Sequence, residues 1–388
     1  MAVSAATMAM AGSAAADVTL YDYQEANSSY EDAYVNGQFS ATDGNGHSQS
    51  AYNANIALDY DRVMSSAQRN IGLKANVDGS LSRGSGAGAD TESNYIATGS
   101  ATADTYFRPG SKGAFWYGSG TLGLKKDADD PFSKIGVGLG YGRVVNVTPM
   151  AKSMRLIEAL QQQGALRATP SKATYLSVAQ VIAREAEYRS KHGLDSYEQY
   201  WISDIEKALM ASGQVKGSLN AASVIKSRDV LVNEFISTRK HGWLVRAGLG
   251  MVLSNYDGSD GGDPSLDIGA EYHRPLNNQT QFSNVAHFSS IFSDDDTGYR
   301  LSNAMSLTRE ISDKVDWENS WLLDYNKAGD NAGTDITTNT LTSAFRYYLN
   351  NQLDLTLTAK ASKTDDDLAN GNEKTDTSLN MGVSYRLR

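Results

Sequence analysis

Between Trp243 and Leu253 every second residue is apolar: Trp243, Val245, Ala247, Leu249, Met251 and Leu253 alternate with Arg246, Gly248, Gly250 and their neighbours. A two-residue period sends the two sets to opposite faces of an extended strand. The pattern recurs through most of the chain. Leu266, Ile268, Ala270 and Tyr272 oppose Asp267, Glu271 and His273, and Val315, Trp317, Trp321, Leu323 and Tyr325 oppose Asp316, Glu318 and Asp324. Leu353, Leu355, Leu357, Ala359 and Ala361 oppose Asp354, Thr356, Thr358 and Lys360. Near the N-terminus, Ile135, Val137, Leu139 and Tyr141 alternate with glycines at 136, 138, 140 and 142.

About fourteen such segments stand out, near 33–41, 51–62, 70–82, 93–107, 113–125, 134–144, 242–255, 265–274, 280–292, 298–309, 314–325, 338–349, 352–362 and 377–388. They run to roughly 10–15 residues, against a mode of about 5–6 for soluble strands. Short connections such as Ile311–Asp316 alternate with long polar ones such as Lys363–Glu373. One face carries full charges, which a dry sandwich core would not accept unpaired. Aromatic residues gather at strand ends, among them Tyr52, Trp243, Tyr272, Phe292, Tyr347 and Tyr385. Together these predict an all-β transmembrane antiparallel barrel, apolar outside and polar inside.

Composition agrees. The 388 residues include 35 glycines and 21 tyrosines but only 6 prolines, and proline would remove ladder donors. A net charge of −10 excludes a general nucleic-acid binder. The lack of cysteine excludes disulfides, zinc–thiolate sites and a thiol nucleophile.

The last twelve residues, Thr377–Arg388, hold Asn380-x-Gly382-x-x-Tyr385-x-Leu387. This resembles the C-terminal assembly signal of bacterial outer-membrane barrel proteins, porin-like in pattern, in which the final strand is read by the barrel-assembly machinery. The resemblance implies a bacterial outer-membrane location, contact with outer-membrane lipid and lipopolysaccharide, and a last strand that closes on the first. Most such chains finish on an aromatic residue, whereas this one finishes Leu387-Arg388.

Residues 148–238 break the alternation. Thr148-Pro149 reads as a helix start, and Met150, Met154, Ile157 and Leu160 follow at helical spacing. Further helices are expected from Ser171 to His192, from Ser196 to Gly213, and from about Leu219 through Phe235. The division is therefore a signal peptide over 1–16 ending at Ala14–Ala16, barrel strands over 17–147, an inserted α-helical bundle over 148–238 and barrel strands over 239–388. Counting strands back from the end puts the bundle on the periplasmic side, where it would plug the barrel or dock a periplasmic protein.

The inward set supplies the expected channel lining: Arg246, Asp267, Glu271, Arg300, Asp316, Glu318, Asp324, Arg346, Asp354, Lys360 and Arg386. Both charge signs suit a water-filled passage for small polar solutes. The alternative is a barrel component of an export or envelope assembly whose helical insert binds a periplasmic partner. The Asp-rich stretches around Asp127, Asp260, Asp294 and Asp366 do not match calcium-loop spacing, so neither a metal site nor a cofactor is expected. Catalysis is not expected either, although His273 and His287 lie on neighbouring strands near Glu271. A barrel enzyme would require one of them to face a serine or aspartate at hydrogen-bonding distance.

Overall fold

The computed structural model describes residues 18–387 apart from 26, 45–47, 216, 259–260, 293–296, 328–334, 351 and 367–373. The expected leader 1–16, with His47, Asp260, Asp294, Asp295, Asp296, Asp367 and Arg388, lies outside the described residues.

Fourteen strands form one closed antiparallel barrel: β1 Ser28–Thr42, β2 Ala51–Ser65, β3 Arg69–Arg83, β4 Thr91–Tyr106, β5 Ala114–Lys125, β6 Phe132–Asn146, β7 Lys240–Ser254, β8 Pro264–Asn277, β9 Thr280–Phe292, β10 Thr297–Ser312, β11 Val315–Lys327, β12 Ile336–Tyr348, β13 Leu353–Asp366 and β14 Thr375–Arg386. Each strand pairs with its neighbours in sequence, and β1 meets β14 to close the ring. That seam is short. It pairs Tyr34–Gly37 with Arg386–Val383, whereas β1 and β2 pair along their whole length from Ser28↔Ser65 to Thr42↔Ala51. β1 begins five residues before the expected 33, because Ser28–Asp32 continue the ladder with β2 through a polar stretch without alternation.

Closure removes every sheet edge, which is what a strand protein needs in lipid. The large exposed side chains are the outward apolar set: Val137 67%, Leu139 63%, Leu249 67%, Leu379 71% and Met381 77% exposed. Their exposure marks the surface that lipid covers. At one end the connections are tight, as at 278–279, 313–314 and 349–352, and at the other they are mostly longer, as at 43–50 and 255–263. The chain leaves β6 and returns to β7 at the tight-turn end.

On β6 the inward positions are glycines because the β7 backbone and the inward rings of β5 crowd them. A Cβ on Gly138 would strike the Ala247 carbonyl and lie 2.6 Å from the Tyr117 ring, and one on Gly140 would strike Phe115. Phe115 and Tyr117 are buried with Tyr106, whose hydroxyl donates to the Gly142 carbonyl at 3.1 Å.

Residues 18–23 and 149–231 form a separate compact unit. It holds α1 Thr148–Gln162 (whose first residue groups with the barrel), α2 Lys172–Ile182, α3 Glu185–His192, α4 Tyr197–Met210 and α5 Ala221–Arg228. Met150, Leu156, Ile157, Leu160, Trp201, Ile205 and Leu209 are its buried core. Four helices are expected and five are found. The second splits after Ile182, where the apolar period ends and the polar run of α3 buries no residue. Thr148 is the first helical residue rather than the cap, and its N–H donates to Asn146 Oδ1 at 3.0 Å. Residues 18–23 fall with the helices rather than the barrel: Leu20 and Tyr23 are buried, and Asp22 pairs with Lys172 at 2.8 Å. The last expected helix stops at Arg228, passes through a π-turn over Asp229–Asn233, and leaves 232–238 as part of the barrel unit.

Candidate functional site

The inward face of the barrel gathers the charged residues into two groups. In the first, the Arg246 guanidinium lies 3.4 Å from Asp104 and 3.5 Å from Glu271. It also stands 5.7 Å from the Tyr117 ring, and Arg143 lies 4.2 Å from the Tyr106 ring. The glycines of β6 thus make room for an aromatic floor on which cations rest. Beside it Lys134 pairs with Asp267 at 2.7 Å, and His287 stands 3.6 Å from the same carboxylate.

The second group sits at the tight-turn end. Arg346 bridges Glu318 at 3.3 Å and Asp354 at 3.4 Å, while Asp316 accepts the Tyr348 hydroxyl at 2.9 Å. Arg386 pairs with Asp32 across the closing seam, reinforced by a side-chain bond from Ser384 to Asn36.

A strap joins this group. Residues 232–239 run into the start of β7, and Phe235 and Ser237 reach strands farther round the ring. Phe235 stacks 4.6 Å from Tyr348 on β12, and the Arg386 guanidinium of β14 lies 5.0 Å from its ring. The Ser237 N–H and hydroxyl both donate to Glu310 on β10 at 3.2 Å. Arg239 donates to Glu310 at 2.6 Å and to the Asn278 carbonyl at 3.2 Å. β7 and β14 are seven strands apart in a ring of fourteen, so this segment spans the lumen.

Of the remaining expected residues, Arg300 and Asp324 form their own pair at 2.5 Å. Lys360 carries no ion pair among the described residues, and it faces the lumen amid hydroxyls. Inward threonines and serines bond to one another there, Thr340 with Ser362 at 3.0 Å and Thr338 with Thr364 at 3.2 Å. In the assembly motif, Asn380 and Gly382 face inward on β14, whereas Tyr385 and Leu387 are exposed at 43% and 49%. Gly382 lies beside Gln38.

His273 meets the geometric condition set for an enzyme. Its Nδ1 is 2.9 Å from the Ser283 hydroxyl and its Nε2 is 3.4 Å from Glu271. An acyl-transfer site also needs donors for the developing oxyanion. Ser283 lies in the ladder, paired on both sides to His273 and Ser306. The serine, histidine and glutamate read as a polar clasp between β8 and β9.

Several lining residues escape the sequence reading. Asp104 and Lys134 sit at inward positions of strands already visible in the alternation. Glu310 holds an inward position one residue past the expected end of its strand, whereas Arg239 and Phe235 give no such signal, because the strap is irregular and Phe235 sits at helical spacing after Leu231.

A family model described as "Protein of unknown function, DUF481" matches residues 233–343, the strap and the strands from β7 into β12. No curated protein matches. Solved structures similar to this chain include the translocator domain of autotransporter NalP from Neisseria meningitidis (6% identity, 93% of this chain and 88% of that one, TM-score 0.29). Others are the outer membrane protein Omp33 of Acinetobacter baumannii (9%, 93% and 98%, 0.29) and a loop-deletion form of OmpT, an outer membrane protein of Vibrio cholerae (9%, 93% and 100%, 0.31). At these scores the architecture rests on this chain's own strand pairing. A closed ring of fourteen long strands, apolar outside and charged within, is a transmembrane barrel of the bacterial outer membrane.

Proposed function

We propose that the barrel is an outer-membrane channel for small polar solutes, narrowed at its tight-turn end by the strap 232–239. The observation that carries this reading is the inward face. It combines paired charges of both signs with a stretch of threonine, serine and Lys360, which has no ion pair among the described residues, a lining that replaces water around a hydroxylated or zwitterionic solute. Tight turns face the periplasm in barrels of this class, so the strap guards the periplasmic exit. The helical unit is attached on that side and serves as a gate or as a platform for a periplasmic partner. Outer-membrane lipid and lipopolysaccharide surround the wall, and the assembly machinery reads Asn380, Gly382, Tyr385 and Leu387. No catalytic step is part of this reading.

Single-channel recording in a planar bilayer tests it, with the full chain beside Phe235→Ala and a deletion of 149–231. Steady ohmic steps from the full chain, larger in Phe235→Ala, are expected. Conductance only after the deletion would make the helical unit the closing element. Silence from all three, with the barrels shown to be folded, would overturn the channel.

A further inference from the structure

The lumen wall formed by β1–β4 carries a hollow apart from the charged groups described above. In the half of the barrel away from the tight turns, one row of inward side chains crosses four neighbouring strands. Gln38 on β1 stands opposite Asn55 on β2, Asn55 opposite Ser80 on β3, and Ser80 opposite Asn94 on β4. The next row toward the tight turns holds Asn36, Ala57, Asp78 and Ile96. The two rows line a hollow of about 340 Å³, inside the range of about 300–1,000 Å³ in which small molecules are held.

The polar groups of the first row are uncommitted. On β12 and β13 adjacent hydroxyls bond to each other, as Thr340 does with Ser362 at 3.0 Å. Gln38, Asn55, Ser80 and Asn94 stand side by side in the same way. Yet among the described residues no side-chain hydrogen bond or ion pair engages them, or Asp78. Gln38, Asn55, Asp78 and Asn94 are exposed, so a solute in the lumen can reach them. Asn36 is committed: it donates to Asp59 at 3.4 Å and accepts from Ser384, which ties the hollow to the closing seam. Asp78 is the one carboxylate of the lining, and Lys125 on β5 follows Ile96 in the same row. The hollow thus has one charge of each sign beside it and no excess of either.

We propose that this hollow binds neutral, polyhydroxylated solutes, namely short oligosaccharides. A sugar hydroxyl donates and accepts at once, and so does a carboxamide. A row of uncommitted amides can therefore take over a sugar's hydration with no change in charge. Ala57 and Ile96 offer an apolar rest for the C–H face of a ring. The first row spans three strand spacings, about 14–15 Å, a reach that suits a short chain of linked rings better than a single ion. The proposal rests on the channel reading and narrows its polar solutes to one class.

The test records ion current through the full chain in a planar bilayer while maltose, cellobiose, sucrose and raffinose are added in turn. Glucose 6-phosphate and alanine serve as charged and zwitterionic comparators. Isothermal titration of the same compounds into the detergent-solubilised barrel reads binding without requiring a current. Reversible blockade by at least one of the sugars is expected, at a lower concentration than for either comparator. In Asn55→Ala/Asn94→Ala, shown to be folded by heat-modifiable gel mobility, the half-blocking concentration should rise about tenfold, the effect of losing two net hydrogen bonds. Gln38→Ala takes the place of the double variant if that one does not fold. A current that no sugar blocks, with no heat of binding, would overturn the site and leave the channel standing. Equal blockade of native and variant chains, or stronger blockade by glucose 6-phosphate or alanine, would overturn it too. Sugar binding to a folded barrel that passes no ions would overturn the channel and keep the site.

Discussion

Arg239 donates to Glu310 at 2.6 Å, and both side chains are withdrawn from solvent, at 0% and 3% exposure. One partner belongs to the strap and the other to the end of β10, so the pair fastens an irregular segment to the barrel wall. Removing one member leaves a buried charge unanswered, and the cost of that is about 3–5 kcal/mol. Arg239→Met or Glu310→Leu alone should therefore lower the thermal midpoint of the barrel in detergent, and the double variant should recover most of the loss. Equal losses in single and double variants would remove the pair from the account of the strap.

Lys360 is the point at which lumen charge should be most readily reversed, because no carboxylate among the described residues holds it. Lys360→Glu should shift the reversal potential in a salt gradient toward cation preference without changing stability. Arg300→Glu, which breaks a pair and leaves Asp324 beside a second acid, should lower the melting temperature as well. An unchanged reversal potential in Lys360→Glu would mean that ions do not pass this wall.

The glycines of β6 are a packing requirement rather than a tolerance. Gly140→Leu places side-chain atoms where the Phe115 ring lies, and overpacking of that kind costs about 1–3 kcal/mol or more. Lower yield of heat-modifiable barrel is expected from Gly140→Leu, with partial rescue by Phe115→Ala. Gly72→Leu, where a Cβ has open space, should be tolerated far better.

The helical unit carries its own pH dependence. A hydrogen bond from Lys172 holds the Asp22 carboxyl below its usual value of 3.8, and bonds from Lys207 and Tyr188 do the same for Asp204. A carboxyl lowered in the folded state adds stability above its unfolded pKa and loses it as pH falls through the folded value. Melting of the helices, followed by circular dichroism, should be flat from neutral pH to about 5 and fall below about 4. Asp22→Asn and Asp204→Asn should flatten that acid limb. A limb unchanged in both variants would locate the acid sensitivity elsewhere.

If Ser283, His273 and Glu271 are a clasp and not a relay, the protein should neither react with a fluorophosphonate probe nor hydrolyse a p-nitrophenyl ester above background. Ser283→Ala should leave conductance intact. Labelling at Ser283 would reverse this reading.

Much of the barrel is legible in the sequence because each strand faces two different solvents, so its two-residue period is written in Leu249 against Arg246 or Leu357 against Lys360. The lining pairs are less legible. Alternation says that Arg246 and Glu271 face inward, but register decides that they meet each other and Asp104. The strap is not legible at all. Phe235 and Arg239 lie in a stretch without period, and Phe235 falls at a spacing that suits a helix as well as a lumen contact. The break after Ile182 depends on α3 having no apolar face to bury.

The closing seam has a mechanical consequence. Every other boundary in the wall is ladder along most of its length, whereas β1 and β14 share four rows and then rely on Arg386 with Asp32 and Ser384 with Asn36. A cylinder under lateral strain parts where the fewest bonds cross. The first and last strands are thus the place where this one loosens under heat, stretch or a thinning bilayer, with the stretch around Gln38–Thr42 and Leu379–Met381 exchanging its amide protons ahead of the rest. The fully laddered boundaries elsewhere make that loosening local, so the wall can widen along one line and reseal without unfolding.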